Sequence, residues 1–503
     1  MKKLEDLQKE KLKMEDEFLF YKEKDFTLYK GKMQDVLSTF EENSIDSIVC
    51  DPPYHLTSIQ ERFSKENSAE AKYGKDGSFQ RLSKGFMGKT WDGGDTAFQP
   101  DTWKNCFKVL KEGGYLLAFG GTRTFHRIAC AIEDAGFEIR DTIMWLYGSG
   151  FPKSMNIGLA IDKKNGVESK VVARVKGSGT TGINDRGNQQ FVAKNQYEDG
   201  TYDLKQAQKE WRGWGTCLKP AYEPIIVARK PFKGSLVDNV IKNGVGGINI
   251  DECRVGEEHF EQQQQHVKTK GIYGDKVLLA KSYDGRFPAN VILTYDENDF
   301  DEVCGGMPDT KSTTTMPNLS DKNAESGIYS KLNAERIEHL GGFNDSGSAS
   351  RYFYCAKASK KDRDEGLDLF EYQQTTDGCI RTNSETARKL GANSALRKNI
   401  HPTVKPVELM QYLVRLVSPK GSKVLDCFMG SGSTGKACMF ENRERNANYH
   451  FIGIEMTDEY LPIAKTRIDY AKYKYQYDEI KEKEERKEKG IVNLFDLLEE
   501  EGN

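Results

Sequence analysis

The chain predicts an α/β protein built on a doubly wound, mostly parallel sheet that carries a large irregular insertion. Three observations predict it. Short apolar strands alternate with helices over two blocks, about 25–150 and 396–470. One strand in each block ends in a turn rich in chemically able residues, as expected at the carboxyl edge of a parallel sheet. Between the blocks, over about 151–395, the sequence becomes rich in Gly, Asn, Asp, Gln and Ser with few periodic runs.

The first 24 residues read as a charged helix with a weak apolar stripe of Leu4, Leu7, Leu12, Met14 and Phe18. In the first block, Ser44 to Cys50 is an apolar-rich strand that stops at Asp51. Trp103 to Leu110 suits a helix, Tyr115 to Phe119 a strand, and Phe125 to Ala135 a helix stopped by Gly136. Ile139 to Leu146 reads as the next strand. In the second block, Val407 to Val417 is an amphipathic helix ended by Pro419 and Gly421. Lys423 to Cys427 is a strand, a helix begins near Thr434, Tyr449 to Glu455 is a strand, and Glu459 to Ala471 closes the unit. The segment 471–503 is a charged helical tail with a Lys/Glu run, and Val492 to Phe495 within it offers a minor docking motif.

With 503 residues, 37% of them hydrophobic and 30% charged, the chain holds enough apolar material for a core under a very polar surface. A net charge of -3 gives no global attraction to a polyanion, so any nucleic-acid contact must come from local basic patches. The ten cysteines form no C-x-x-C pair, which argues against a zinc ribbon or disulfide framework and for reduced thiols. No metal site is expected. The N-terminus lacks an apolar signal region and no run reaches a membrane-spanning length. A cytoplasmic protein without membrane contact is therefore expected, and a homodimer stays open.

The glycine-rich turn Phe428-Met429-Gly430-Ser431-Gly432-Ser433-Thr434-Gly435-Lys436 admits three readings. Gly430, Gly432 and Gly435 satisfy the dinucleotide fingerprint, with Glu455 ending the next strand. Gly430 to Lys436 nearly satisfies a phosphate-binding loop, but Ala437 stands where Ser or Thr should ligate magnesium. The turn also suits S-adenosylmethionine, because glycines let backbone approach a ligand closely. All three place a nucleoside at the sheet edge, with Glu455 able to accept hydrogen bonds from a ribose.

Asp51-Pro52-Pro53-Tyr54 decides among them. An aromatic exocyclic amine is a weak nucleophile because its lone pair is delocalised into the ring. The Asp51 carboxylate and the Pro52 carbonyl can accept its N–H groups, favour a pyramidal nitrogen and localise that pair. Pro53 stiffens the loop. Tyr54 offers a face on which an extruded base can stack.

These residues, with His401-Pro402-Thr403-Val404-Lys405-Pro406 and Val424 to Thr434, resemble the three signatures of the N-4/N-6 DNA amino-methyltransferases. The catalytic loop precedes the cofactor loop, the circularly permuted order of the beta class of this S-adenosylmethionine-dependent fold. The phrases Gly148 to Ser154, Lys219 to Pro224 and Arg286 to Asn290 look similar to phage and prophage members, so a bacterial or phage-infected cell is the implied setting. The resemblance implies a catalytic half at 25–150, a target-recognition insertion at 151–395 and a cofactor-binding half at 396–470. It implies that Asp51, Pro52, Pro53 and Tyr54 are catalytic. Asp426, Phe428, Gly430 and Gly432 would hold the methionine side of S-adenosylmethionine and Glu455 its ribose, while Thr403 and Lys405 would meet its carboxylate. Cys427 stands where proline is usual and Ser433 where threonine is common. An aspartate first in the tetrapeptide is the family's usual partner of adenine N6, a serine that of cytosine N4.

Double-stranded DNA is the implied partner. Between Lys205 and Ser235, seven cations stand against two carboxylates, and Trp211, Trp214, Tyr222 and Phe232 interleave with them. Lys209, Arg212, Lys219, Arg229 and Lys230 are the candidate DNA contacts. A second patch comprises Arg351, Lys357, Lys360, Lys361 and Arg363. The readings that compete with a methyltransferase are a nicotinamide-dependent oxidoreductase, a P-loop NTPase and a non-catalytic DNA-binding protein.

Overall fold

The computed structural model describes residues 15–55, 95–147, 154–167, 170–176, 201–206, 211–262, 265–267, 276–278, 281–295, 309–311, 346–348, 352–357, 361–374 and 396–488. Ten strands form the central sheet: β1 (Leu19–Lys22), β2 (Phe26–Lys30), β3 (Ile45–Cys50), β4 (Leu110–Phe119), β5 (Glu138–Tyr147), β6 (Tyr222–Arg229), β7 (Val291–Tyr295), β8 (Tyr354–Lys357), β9 (Lys423–Asp426) and β10 (His450–Glu455). Their order is β1-β2-β10-β9-β3-β4-β6-β5-β7-β8. The pairings from β2 to β4 are parallel, as are those of β7 with β5 and β8, while β6 runs antiparallel to both β4 and β5.

Helices cover both faces, which makes the sheet doubly wound. One face carries α1 (Met33–Ser38), α2 (Pro100–Val109) and α3 (Phe125–Asp134) over a core that includes Trp103, Ile128, Ile48 and Leu116. The other carries α4 (Val407–Val417), α5 (Ser433–Arg445) and α6 (Tyr460–Glu488), packed on Val49, Leu117, Val424 and Phe451. All six residues of β3 are buried, including Asp46 and Ser47. Covered on both faces, such a strand reads as a short run without clean alternation. Inside the bundle α4 is buried almost all round. Its Arg415 meets Glu441 of α5 through two hydrogen bonds of 3.0 and 2.6 Å, a bidentate pairing that satisfies both charges out of water.

The sheet reverses its direction of growth between β9 and β3. From β9 the chain moves outward to β10, and from β3 it moves the other way to β4. The carboxyl ends at such a switch point diverge and leave a crevice. Asp51 follows β3 and Asp426 ends β9, so both signature turns open into the same crevice.

Three expectations need correction. Leu19 to Lys22 belongs to an edge strand antiparallel to β2, not to a charged helix. The run Leu19-Phe20-Tyr21 suits a strand better than a solvated helix. β2 sits beside β10, in the cofactor half of the sheet, although it lies at the start of the first block. The stretch 151–395 is more than an insertion, because β6, β7 and β8 complete the central sheet. Residues 1–14, the phrase Gly148 to Lys153 and the motif Val492 to Phe495 lie outside the described residues. No helix among the described residues is long and apolar enough to cross a membrane.

Candidate active site

A cleft of about 1630 Å³ opens over the switch point. It is lined by Asp51 to Tyr54, by Thr403 and Lys405, by Asp426, Phe428 and Gly430, and by Glu455. Two segments some 350 residues apart in sequence thus share one cavity. Its volume exceeds the usual range for a single small-molecule site, roughly 300–1,000 Å³, and leaves room for two ligands side by side.

The catalytic loop is held from several sides. Thr124 Oγ1 donates to the Tyr54 carbonyl at 2.7 Å, and Tyr54 Oη donates to Glu223 Oε2 at 2.8 Å. Lys405 Nζ donates to Asp51 Oδ2 at 2.7 Å and to Tyr54 Oη at 3.2 Å, and lies 3.3 Å from Glu223 Oε2. Burial opposes the charge on Lys405, but Asp51 and Glu223 outweigh it and hold the ammonium's pKa above its ordinary value. Burial, reinforced by Asp51 and Glu223, pushes the Tyr54 phenol well up, so the ring stays neutral. The second carboxylate oxygen, Asp51 Oδ1, is buried and has no hydrogen-bond partner among the described residues. A desolvated acceptor of this kind is costly unless something supplies a donor.

The cofactor turn is built from both ends. Asp426 Oδ1 accepts from the Phe428 N–H at 3.0 Å, and Oδ2 accepts from Thr434 Oγ1 at 2.6 Å. Burial nonetheless pushes the Asp426 carboxyl up to about 7, with nearby Asp51 and Glu455 adding to the effect. Glu455 accepts from the Gly430 N–H at 2.8 Å and from the Thr457 N–H at 2.8 Å. Gly430 and Gly432 have φ of 54° and 78°, the left-handed region that favours glycine. A Cβ on Gly430 would stand 2.6 Å from His401 Nε2. Burial drives the His401 ring down to about 3, so it is neutral at physiological pH, with Nδ1 against the Thr403 carbonyl at 2.8 Å.

Several sequence-predicted residues stand elsewhere than expected. Lys405 faces the catalytic carboxylate. Its three N–H groups are matched by Asp51, Tyr54 and Glu223, so they do not await a ligand carboxylate. Lys230 is buried and donates to Asn43 Oδ1, the Phe107 carbonyl and the Leu110 carbonyl at 2.9, 2.6 and 2.7 Å. It is a structural ion, not a surface phosphate contact. Arg229 lies against Glu138 at 2.8 Å and over the Phe232 ring. In the second patch, Arg363 donates to the carbonyls of His401 and Pro402. Arg212 and Lys219 are exposed, Lys219 on the cleft rim, while Lys209, Arg351 and Lys360 lie outside the described residues. Lys436 is fully buried on Glu365 at 2.7 Å and does not line the cleft, which removes the lysine from a phosphate-loop reading.

Glu223 and Arg123 also line the cleft and were not among the candidates. Glu223 lies within the phrase Lys219 to Pro224. The apolar run Ile225 to Ala228 behind it was the available signal that a strand would carry it to the sheet edge. Among the described residues there is no group of three or more His, Cys, Asp or Glu placed to hold a metal.

A DNA methylase family model matches residues 45–466. The Type II methyltransferase M.HindIII of Haemophilus influenzae is 24% identical over 252 residues, 47% of this chain and 67% of that enzyme. The DNA adenine methyltransferase YhdJ of Escherichia coli (strain K12) is 36% identical over 87 residues, 17% of this chain and 27% of that enzyme. The solved cytosine-N4-specific PvuII DNA methyltransferase covers 88% of this chain and 86% of its own at 12% identity, with a TM-score of 0.34.

Proposed function

Since the chain belongs to the DNA methylase family and takes its methyl group from S-adenosylmethionine, we propose that this cleft places that group on the N6 amine of an adenine flipped out of double-stranded DNA. The observation that carries the proposal is Asp51 Oδ1, a buried carboxylate oxygen with no donor of its own among the described residues. It stands where a base amine can supply the donor.

The residues present fit the cofactor. Gly430 lines the cleft and passes so close to His401 that a Cβ would clash with the ring, which leaves bare backbone facing the ligand space. Asp426, Phe428 and Gly430 would hold the methionine side, Glu455 the ribose, and Thr403 the rim near the methionine carboxylate, while Gly432 does not line the cleft and instead lets the turn pass close to Ala464. When bound, S-adenosylmethionine supplies an electrophilic methyl on a sulfonium. Asp51 Oδ1 accepts one amine N–H, draws the lone pair out of conjugation and receives the proton that the nitrogen sheds once it carries the methyl. The Pro52 carbonyl accepts the second amine N–H, Tyr54 stacks on the base, and Pro53 stiffens the loop.

Adenine is favoured over cytosine because aspartate leads the tetrapeptide, and the similarity to an adenine methyltransferase agrees with it. DNA would lie across the rim at Arg123 and Lys219 and reach the exposed Arg212 of the adjoining segment. The exposed Trp211, Trp214 and Leu218 stand among these cations, a mixture suited to phosphates and unstacked bases. Methyl transfer by the wild type and by Asp51→Ala, followed by nucleoside analysis of the product, tests the reading. N6-methyladenine from the wild type and none from the variant, with cofactor binding kept, is expected. N4-methylcytosine would overturn the choice of base, and an active variant the role of Asp51.

A further inference from the structure

Asp51 does not stand alone in its pocket. The group that faces it most closely, Lys405, comes from the segment before α4, and the group that faces Lys405 in turn, Glu223, comes from β6. Lys405 is 8% exposed at its side chain, Asp51 19% and Glu223 22%. The ammonium lies 4.9 Å from the Phe119 ring centroid and 5.3 Å from that of Tyr54. One cation is therefore shared by two carboxylates in a partly desolvated, aromatic-walled pocket.

The shared cation balances two neighbouring carboxylates. Two carboxylates confined together cannot both stay ionised without a counter-charge. Removing the cation would leave Asp51 and Glu223 to share a proton. A protonated Asp51 loses an acceptor and cannot localise the lone pair of an amine. Geometry adds a second effect. With Oδ2 fixed on Nζ at 2.7 Å, Oδ1 is the oxygen left without a partner among the described residues.

We propose that Lys405 and Glu223 are positioning residues of the methyl transfer, Lys405 keeping Asp51 ionised and turned toward the base, and Glu223 anchoring both the lysine and the Tyr54 hydroxyl. The inference rests on the reading of Asp51 given above and assigns roles to two residues outside the catalytic tetrapeptide. The titratable groups around Asp51 are Cys50 and Tyr54 on its own segment, Glu223 on β6, Tyr147 at the end of β5, Lys405, and Asp426 at the end of β9. Arg123 and Arg363 line the same cleft, but among the described residues Lys405 is the cation paired with both Asp51 and Glu223.

The test is single-turnover methyl transfer between about pH 6 and pH 9 by the wild type, Lys405→Met, Lys405→Gln and the double variant K405M/E223Q. Thermal unfolding and cofactor affinity are measured alongside. Lys405→Met should lose about 100-fold at neutral pH, with a rate that climbs as pH rises and deprotonates the carboxylate pair. Cofactor affinity should stay within about threefold, because the loss is confined to the chemical step. Lys405→Gln keeps a donor for Oδ2 and serves if the methionine variant fails to fold. It should show the same climb with pH. K405M/E223Q should recover about tenfold over K405M at neutral pH, since the neighbouring charge that protonates Asp51 is gone. A loss that is flat in pH, a double variant no better than the single, or a loss residing in cofactor affinity would each overturn the proposal. A wild type that fails to methylate DNA would instead overturn the reading beneath it.

Discussion

The Thr434 hydroxyl donates to Asp426 Oδ2 across 2.6 Å, tying the first turn of α5 back to the last residue of β9. The Phe428 N–H takes the other oxygen, so the carboxyl is fully engaged and still sits near 7 because it is buried. Such a group opposes folding over a definite range. Folded, it keeps its proton up to about pH 7; unfolded, it releases it near its ordinary value of 3.8. Stability is therefore lost as pH rises from about 4 through about 7, and the loss is complete above that. Asp426→Asn removes the penalty, and the amide can still accept from Phe428 and donate to the Thr434 oxygen. The ligand-free variant should be more stable than the wild type by about 1–2 kcal/mol at pH 8, with the gain shrinking toward pH 4. Its cofactor affinity should fall. Urea unfolding at two pH values with calorimetry of cofactor binding checks both.

Gly430→Ala should separate binding from folding. The new methyl would stand 2.6 Å from His401 Nε2, on a backbone with φ of 54°. A left-handed alanine costs about 1–2 kcal/mol, and the imidazole must move as well. Met429 and Cys427 anchor the turn in the two cores on either side of the sheet, so a fall in Tm of several degrees is expected with the fold kept. Cofactor affinity should drop at least about tenfold, because the displaced ring intrudes on the wall of the cleft. Circular dichroism and equilibrium binding distinguish this from global unfolding.

Tyr54 has two separable parts. Its ring lines the cleft, while its hydroxyl donates to Glu223 and accepts from Lys405. Tyr54→Phe keeps the face and should slow methyl transfer only several-fold. Tyr54→Ala removes the stacking surface, worth about 1–3 kcal/mol per base, and should slow it by a further 10- to 100-fold. Fluorescence of 2-aminopurine at the target position should show flipping retained in the phenylalanine variant and weakened in the alanine one. Equal rates in the two variants would remove the stacking role.

Local chemistry was the legible part of this site. Asp51 to Tyr54 and Gly430 to Thr434 announce themselves because each turn carries its own signature within a few residues. Val407–Val417 forms as read, since Pro406 and Pro419 bound it and apolar residues repeat at helical spacing. Partners distant in sequence were not legible. Tyr222–Arg229 contains Pro224, which argues against a central strand, yet it fills the slot between β4 and β5 and brings Glu223 with it. The pairing of Lys405 with Asp51 joins residues 354 positions apart. A lysine two residues after a threonine in a loop gives no hint whether its partner will be a ligand or another part of the chain. Burial hid the rest. Lys230 and Arg229 look in sequence like any basic surface cluster, and only the fold turns the first inward.

That difference can be measured against DNA. Arg212 and Lys219 are exposed, Lys219 lining the cleft, whereas Lys230 directs its three N–H groups to Asn43, Phe107 and Leu110. For every phosphate that a variant no longer neutralises, the slope of log affinity against log salt should fall by about 0.9. Arg212→Ala and Lys219→Ala should each weaken DNA binding and flatten that slope by about one phosphate, leaving the unfolding midpoint near that of the wild type. Lys230→Met should do the reverse. It leaves two carbonyls and an amide oxygen without their donor in a buried position, which costs about 2–3 kcal/mol of stability. The salt slope of the folded protein should not move, because no phosphate ever reached that ammonium. Fluorescence-anisotropy titrations over a range of salt, paired with urea unfolding, read both quantities on the same three variants. A Lys230 variant with native stability and a flattened slope would place the basic face on the opposite side of β6 and reverse the assignment of the DNA rim.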